Sequence, residues 1–323
     1  MTPTQVAPAP DAKKNIAVGL ALAVGGAIAF SGKAIIVKLA YRYGVDAVTL
    51  IMYRMLFALP IFVGMAWWAG HGRPPLSRRD WWGVLGLGLT GYYLASFLDF
   101  AGLAFVSASL ERLILYLNPT LVVLLGWLLY GRGLRRGQIG GMLVSYCGVL
   151  LVFGQEARVQ GTHAAWGTLL VFLSAVSYAI YLVYSGEMVK RLGALRLVGL
   201  ATTAACLFCI VQFLVLRPIS ALQVAPEVIG LSLLNATLCT AVPVLMVMMA
   251  IERIGAGMAA QTGMIGPLST ILMGVWILDE PLTPSMLAGT ALVMAGIFVF
   301  TRMARPAGAG AVKGQEACTL ARR

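Results

Sequence analysis

Apolar residues run along this chain in ten long blocks with short polar breaks, at about residues 16–39, 47–69, 82–104, 107–129, 138–154, 165–187, 197–216, 228–250, 257–278 and 285–302. A helix needs ~20 mostly apolar residues to cross a bilayer core of ~30 Å. The pattern predicts an all-α integral membrane protein with ten transmembrane helices. Ten spans consume most of the chain and leave little for a soluble domain. The first block is too long for a cleaved signal peptide, and its far end carries Lys33 and Lys38 rather than small residues. Residues 1–15 and 303–323, rich in Pro, Ala and Gly, read as a disordered leader and tail.

Composition sharpens this reading. Of the 323 residues, 60% are hydrophobic and 11% charged, against the roughly 25% charged that a soluble domain carries. The net charge of +12 could point to nucleic acid, but its distribution points to topology. With ten spans both termini share a side. Seventeen of the 24 lysines and arginines fall on that side, in loops and tails such as Arg73, Arg78, Arg79 and Arg132 to Arg136. Four (Lys38, Arg42, Arg158, Arg217) fall on the other, and three (Lys33, Arg54, Arg112) lie within spans. Cytoplasmic loops carry the excess of Lys and Arg, so both termini are expected in the cytoplasm of a bacterial inner membrane. No nucleic-acid partner is expected.

Apparent motifs lose their meaning in this setting. Gly86-x-Gly88-x-x-Gly91 has the dinucleotide spacing but lacks the strand and βαβ unit that motif requires. Cys206-x-x-Cys209 sits in an apolar span, where cysteine packs as a small hydrophobe. His71 and His163 lie on opposite sides, and no nucleophile–base arrangement appears. Neither catalysis, nor a cofactor, nor a metal is expected.

Shifted by 148 residues, the chain aligns with itself without a gap: Pro119, Gly126, Gly141 and Gly148 fall on Pro267, Gly274, Gly289 and Gly296, and Gly19 on Gly167. Residues 16–154 and 164–302 therefore read as two copies of a five-helix unit. Five is odd, so the second copy is inverted in the membrane, a construction common in secondary transporters. Two such halves can open toward either side around a site between them. Proline bends a helix, and the matched pair Pro119 and Pro267 is expected to shape the pathway.

Five formal charges lie inside spans: Lys33, Arg54, Asp99, Glu111 and Arg112. Counted along their helices, all fall roughly 7–10 Å below the outer surface of the core. Intramembrane ions are costly, and mark function by default. Asp99 and Arg112 flank a short turn at one depth and are expected to pair, leaving Glu111 for Arg54. Lys33 is expected to snorkel outward. Whichever acid lacks an arginine would be the better proton carrier, so a proton is the candidate coupling ion. The second copy has Tyr181, Thr202, Val247, Ala259 and Ala260 at the matching places. Candidates to line the substrate cavity are Tyr92, Tyr93, Ser96, Tyr116, Asn118, Tyr178, Tyr181, Asn235 and Gln261.

The segments GPLSTILMGVWILDEPLTPSMLAGTALVMAGIFVF (266–300) and NPTLVVLLGWLLYGRGLRRGQIGGMLVSYCGVLLVF (118–153) resemble the repeat motif of the EamA-type branch of the drug/metabolite transporter superfamily. Asp279-Glu280-Pro281 stands where that family has Gly-Glu-Pro, and Gly131-Arg132 departs from it. The resemblance implies ten helices in two inverted repeats and alternating-access transport, often outward, of amino acids, nucleobases, other metabolites or drugs. The expected partners are a small-molecule substrate and the lipid bilayer; subunit number is left open. The rival reading is a membrane-embedded enzyme or channel built on the Asp99/Glu111/Arg112 cluster.

Overall fold

The structure is a computed structural model that describes residues 10–131 and 136–303. The segments 1–9, 132–135 and 304–323 lie outside the described residues, and with them most of the expected leader and tail. All regular structure among the described residues is helical: α1 (Pro10–Tyr41), α2 (Ala47–Gly70), α3 (Arg78–Leu87), α4 (Ala95–Leu103), α5 (Ala108–Leu115), α6 (Asn118–Tyr130), α7 (Arg136–Gln160), α8 (Thr162–Leu192), α9 (Ala194–Leu216), α10 (Pro226–Ala236), α11 (Val242–Thr262), α12 (Gly266–Leu278) and α13 (Pro284–Met303). Among these residues nine helical stretches are long and apolar enough to cross a membrane, and α12 forms a shorter apolar tenth.

The expected third and eighth spans are each interrupted by a π-helical turn, Gly88–Leu94 between α3 and α4 and Thr237–Ala241 between α10 and α11. Shifted by the repeat length, the two turns coincide. Such turns widen the helix locally and recur at functional sites. The matched prolines sit in the first turns of α6 and α12. A helix break precedes each, at Tyr116–Leu117 and at Gly263–Ile265. Proline tolerates the first turn because its missing N–H would be unpaired there anyway.

The two halves part company at one turn. Ser107 caps α5, its hydroxyl accepting the Leu110 N–H, so α4 and α5 are separate helices. The matching residue is Gly255, which has no hydroxyl to cap with, and α11 continues through it to Thr262. The boundary expected between residues 250 and 257 is therefore absent.

The repeat's glycines are contact points between helices. A Cβ on Gly141 would lie 2.7 Å from the Gly296 carbonyl oxygen, and one on Gly148 2.6 Å from that of Gly289. So α7 and α13 cross backbone against backbone at positions that the repeat makes equivalent. Small residues permit this close approach in membranes. Likewise Gly19 of α1 packs on Arg253 and Ile254, while its counterpart Gly167 of α8 packs on Phe105 and Val106. α1 lies on α11 as α8 lies on α4, and α2 packs on α9 across the pseudo-twofold relation. The described ends of the chain, the start of α1 and the end of α13, lie at one end of the bundle, here the terminal end. The turns around Tyr41, Ser107 and Glu280 form the distal end.

Candidate functional site: a charged cavity between the repeats

Deep in the bundle, α1, α4 and α5 bring three charges together. Lys33 Nζ donates to Asp99 Oδ2 at 2.6 Å and lies 3.4 Å from Glu111 Oε1. Asp99 and Glu111 are 2% and 0% exposed. One ammonium thus serves two buried carboxylates. The expected Asp99–Arg112 pair is replaced by this arrangement, and Lys33 does not snorkel. The reason is reach: Lys33 sits on a helix packed against both α4 and α5. An ion pair is far cheaper there than three separated buried charges.

The two arginines turn the other way. Arg54, 6% exposed, donates from Nε and Nη2 to Thr240 Oγ1 at 3.3 and 3.2 Å, with the Phe100 ring 5.2 Å from its guanidinium carbon. Arg112 donates from Nε to Thr270 Oγ1 at 3.0 Å. Each threonine gives its own proton to a carbonyl of its helix, Asn235 at 2.8 Å and Gly266 at 3.2 Å. Its oxygen is then left as an acceptor for the arginine. Both arginines belong to the first repeat and both threonines to the second. The expected Glu111–Arg54 pair is likewise superseded by Lys33 and Thr240.

Of these groups Lys33, Arg54, Asp99, Arg112 and Thr240 open onto a cavity of about 280 Å³, whose wall also includes Phe30, Tyr92, Ser96, Tyr116, Asn118 and Tyr178. A second cavity of about 390 Å³ shares Phe30, Arg112, Tyr116 and Tyr178. It continues toward the terminal end along Ala23, Ala27 and Ile251. Tyr116 closes the α11–α12 break, its hydroxyl donating to the Gly263 carbonyl at 2.5 Å. Tyr178 stacks on Tyr181, whose hydroxyl lies 3.1 Å from that of Tyr92.

Not every expected residue reaches the cavity. Tyr181 is buried behind Tyr92. Tyr93 packs edge-on against Phe208, and Asn235 is buried beside Thr240. The side chain of Gln261 lies outside the described residues. Cys206 packs against Met55 at 3.8 Å, and Cys209 is buried in the same apolar cluster.

At the distal end a second polar set, unforeseen as a site, ties the repeats together. Glu280 accepts the Ala108 N–H at 2.8 Å and the Ser109 hydroxyl at 2.9 Å. Glu156 accepts the Ser107 N–H at 3.1 Å and also the Ser107 hydroxyl. Two carboxylates therefore cap the N-terminus of α5, where unpaired N–H groups and the helix dipole favour negative charge. Arg42 donates to the Leu278 carbonyl at 3.0 Å and Tyr41 to that of Phe100 at 2.5 Å. The sequence signal for this seal was Glu280, visible only as part of a family motif.

Two inverted five-segment halves around one charged cavity define a membrane transporter of the two-repeat kind. The residues 17–154 and 165–302 each match the EamA-like transporter family, and the chain belongs to it. Among its relatives, the uncharacterized transporter YcbK of Bacillus subtilis (strain 168) is 30% identical over 90% of this chain and 94% of its own. A protein of Salmonella typhimurium named as a probable amino-acid metabolite efflux pump is 26% identical over 67% and 75%. A protein known from a crystal structure shares the fold with a TM-score of 0.58, at 19% identity over 91% of this chain and 99% of that one.

Proposed function

We propose that this chain is a secondary carrier that exports a small organic metabolite by alternating access across a bacterial inner membrane, with residues 16–154 and 164–302 as its two moving halves. One observation carries the reading: a charged cavity lies between the repeats and shares its wall with a second one that runs toward the terminal end, while hydrogen bonds to Glu280 join the repeats at the distal end. The excess of lysine and arginine supports a cytoplasmic terminal end. This arrangement would then accept a solute from inside. The relative named as an amino-acid metabolite efflux pump supports an outward direction.

Asp99 and Glu111 are the candidate proton carriers, because two carboxylates share one lysine. One of them can take a proton while the other keeps the ion pair. The cavity-lining tyrosines, Ser96 and Asn118 would contact the solute. The test is flux. Liposomes holding the protein and a mixed pool of small metabolites should release one compound class saturably, and faster with an opposing proton gradient. Non-saturating leakage, or a new covalent product, would overturn the carrier reading.

A further inference from the structure

We propose that the cavity is an oxyanion site in which Arg54 and Arg112 hold the carboxylate of a small organic anion, so that the cargo is an organic acid rather than a cation or a neutral solute. The inference rests on the carrier reading for its biology but on separate atoms for its chemistry.

Three cations and one carboxylate, Asp99, line this cavity, with Glu111 buried beside Lys33, and these charges are not paired evenly. Lys33 takes both carboxylates. Neither arginine has a carboxylate within bonding distance among the described residues, and their described hydrogen bonds go to one threonine hydroxyl each. Arg54 Nη1 and Arg112 Nη2 are buried without a hydrogen-bond partner. A guanidinium is a planar fork of donors that matches a carboxylate, and it remains charged in any protein setting. Burying such donors unpaired is costly, and an oxyanion entering the cavity would offset that cost.

The threonines make this a built site. Because Thr240 and Thr270 spend their protons on helix carbonyls, each offers the arginine a fixed acceptor and anchors one edge of its guanidinium. Phe100 lies across the Arg54 guanidinium. The free edges belong to two residues that line the same cavity. The fixed charges sum to one excess positive charge, which a monoanion neutralises and a cation would double. Phe30, Tyr92 and Tyr178 supply an apolar, aromatic wall for the rest of the molecule. The volume of about 280 Å³ lies at the small end of ligand pockets, and limits the body to about one ring system.

The test uses the full-length protein in lipid nanodiscs and a matched set of probes: acetate, benzoate, phenylacetate and indole-3-acetate, each beside its carboxamide and its amine. Binding is read by saturation-transfer NMR and calorimetry. The expected result is that at least one carboxylate binds with Kd of about 1 mM or tighter, while its carboxamide and amine do not. Arg54→Gln and Arg112→Gln should each weaken it ~10- to 100-fold. Thr270→Val should weaken it less than Arg112→Gln, and Thr270→Ser should restore it; this pair retains the charge and guards against a folding artefact. Equal or better binding of an amide or amine, no binding by any carboxylate, or unchanged affinity in both arginine variants would overturn the inference. Selective liposomal release of a neutral or cationic compound would overturn it while leaving the carrier reading standing. Carboxylate binding without any flux would do the reverse.

Discussion

Lys33 Nζ lies 2.6 Å from Asp99 Oδ2 and 3.4 Å from Glu111 Oε1, so one ammonium on α1 clasps carboxylates from α4 and α5. Removing it strands two buried acids. Lys33→Met should destabilise the protein by about 3–5 kcal/mol, seen as a lower thermal midpoint in detergent. Adding Asp99→Asn should recover part of the loss, as expected of a coupled pair. A single variant as stable as the parent would show that the cluster does not hold these helices together.

The glycine crossing of α7 and α13 gives a prediction with an internal control. Gly141→Leu drives side-chain atoms into the α13 backbone, where even a Cβ would lie 2.7 Å from the Gly296 oxygen. Gly140 meets nothing within 4 Å. Gly141→Leu should cut the yield of folded protein severely, while Gly140→Leu should leave it near the parent level by fluorescence-detected size exclusion. Equal yields would separate the repeat's glycines from helix packing.

Orientation is open to chemical labelling. His71 and Gln223 lie in turns at opposite ends of the bundle. With Cys147 and Cys318 replaced by serine, a cysteine at His71 should react with a membrane-impermeant maleimide only after the cells are opened. A cysteine at Gln223 should react in intact cells. The opposite pattern would invert the topology and, with it, the direction of the proposed transport.

Asp46, which caps α2 in the distal turn, should lend the fold an acid-sensitive element. Partial burial opposes its ionisation. Hydrogen bonds from the Thr49 hydroxyl and N–H and the Arg217 side chain outweigh that, and hold its carboxyl below the usual aspartate range. The folded value is depressed, so the contribution is present above the unfolded aspartate's value of about 4 and is lost as pH falls through the folded one. Asp46→Asn should lower the thermal midpoint at pH 7 and narrow its gap to the parent at pH 3. A gap that stays constant with pH would remove the ionised form from the account.

The distal seal predicts a shift in access rather than in stability alone. Glu280 joins the α12–α13 link to the first turn of α5. Glu280→Ala removes both bonds at a cost of about 1–2 kcal/mol. It should increase labelling, from outside, of a cysteine placed at Ser96 on the cavity wall. No change would mean that the capping contacts do not gate the cavity.

The period of apolar blocks and the shift of 148 residues carried the ten-segment, two-repeat fold, because lipid imposes length and composition directly on sequence. The site was less legible. Depth counting put Lys33, Arg54, Asp99, Glu111 and Arg112 at one level, but it holds no information about rotation around a helix axis. Partners were therefore misassigned: Arg112 reaches Thr270 and Arg54 reaches Thr240, residues 158 and 186 positions away. Thr240 aligns with Tyr92 and Thr270 with Val122, so the repeat gave no hint of either. The matched π-helical turns leave little mark on composition. Gly255 in place of Ser107 was readable in principle, as the loss of a cap.

The asymmetry across the repeat interface has a genetic consequence. The arginines, the lysine and both buried acids come from one copy, and the hydroxyls that steer the arginines come from the other. A chain built from two first halves would carry a doubled set of charges and no threonine to orient them. One built from two second halves would have hydroxyls and nothing to hold. The architecture still records a duplication, but its products have divided the labour so far that neither can stand in for its twin.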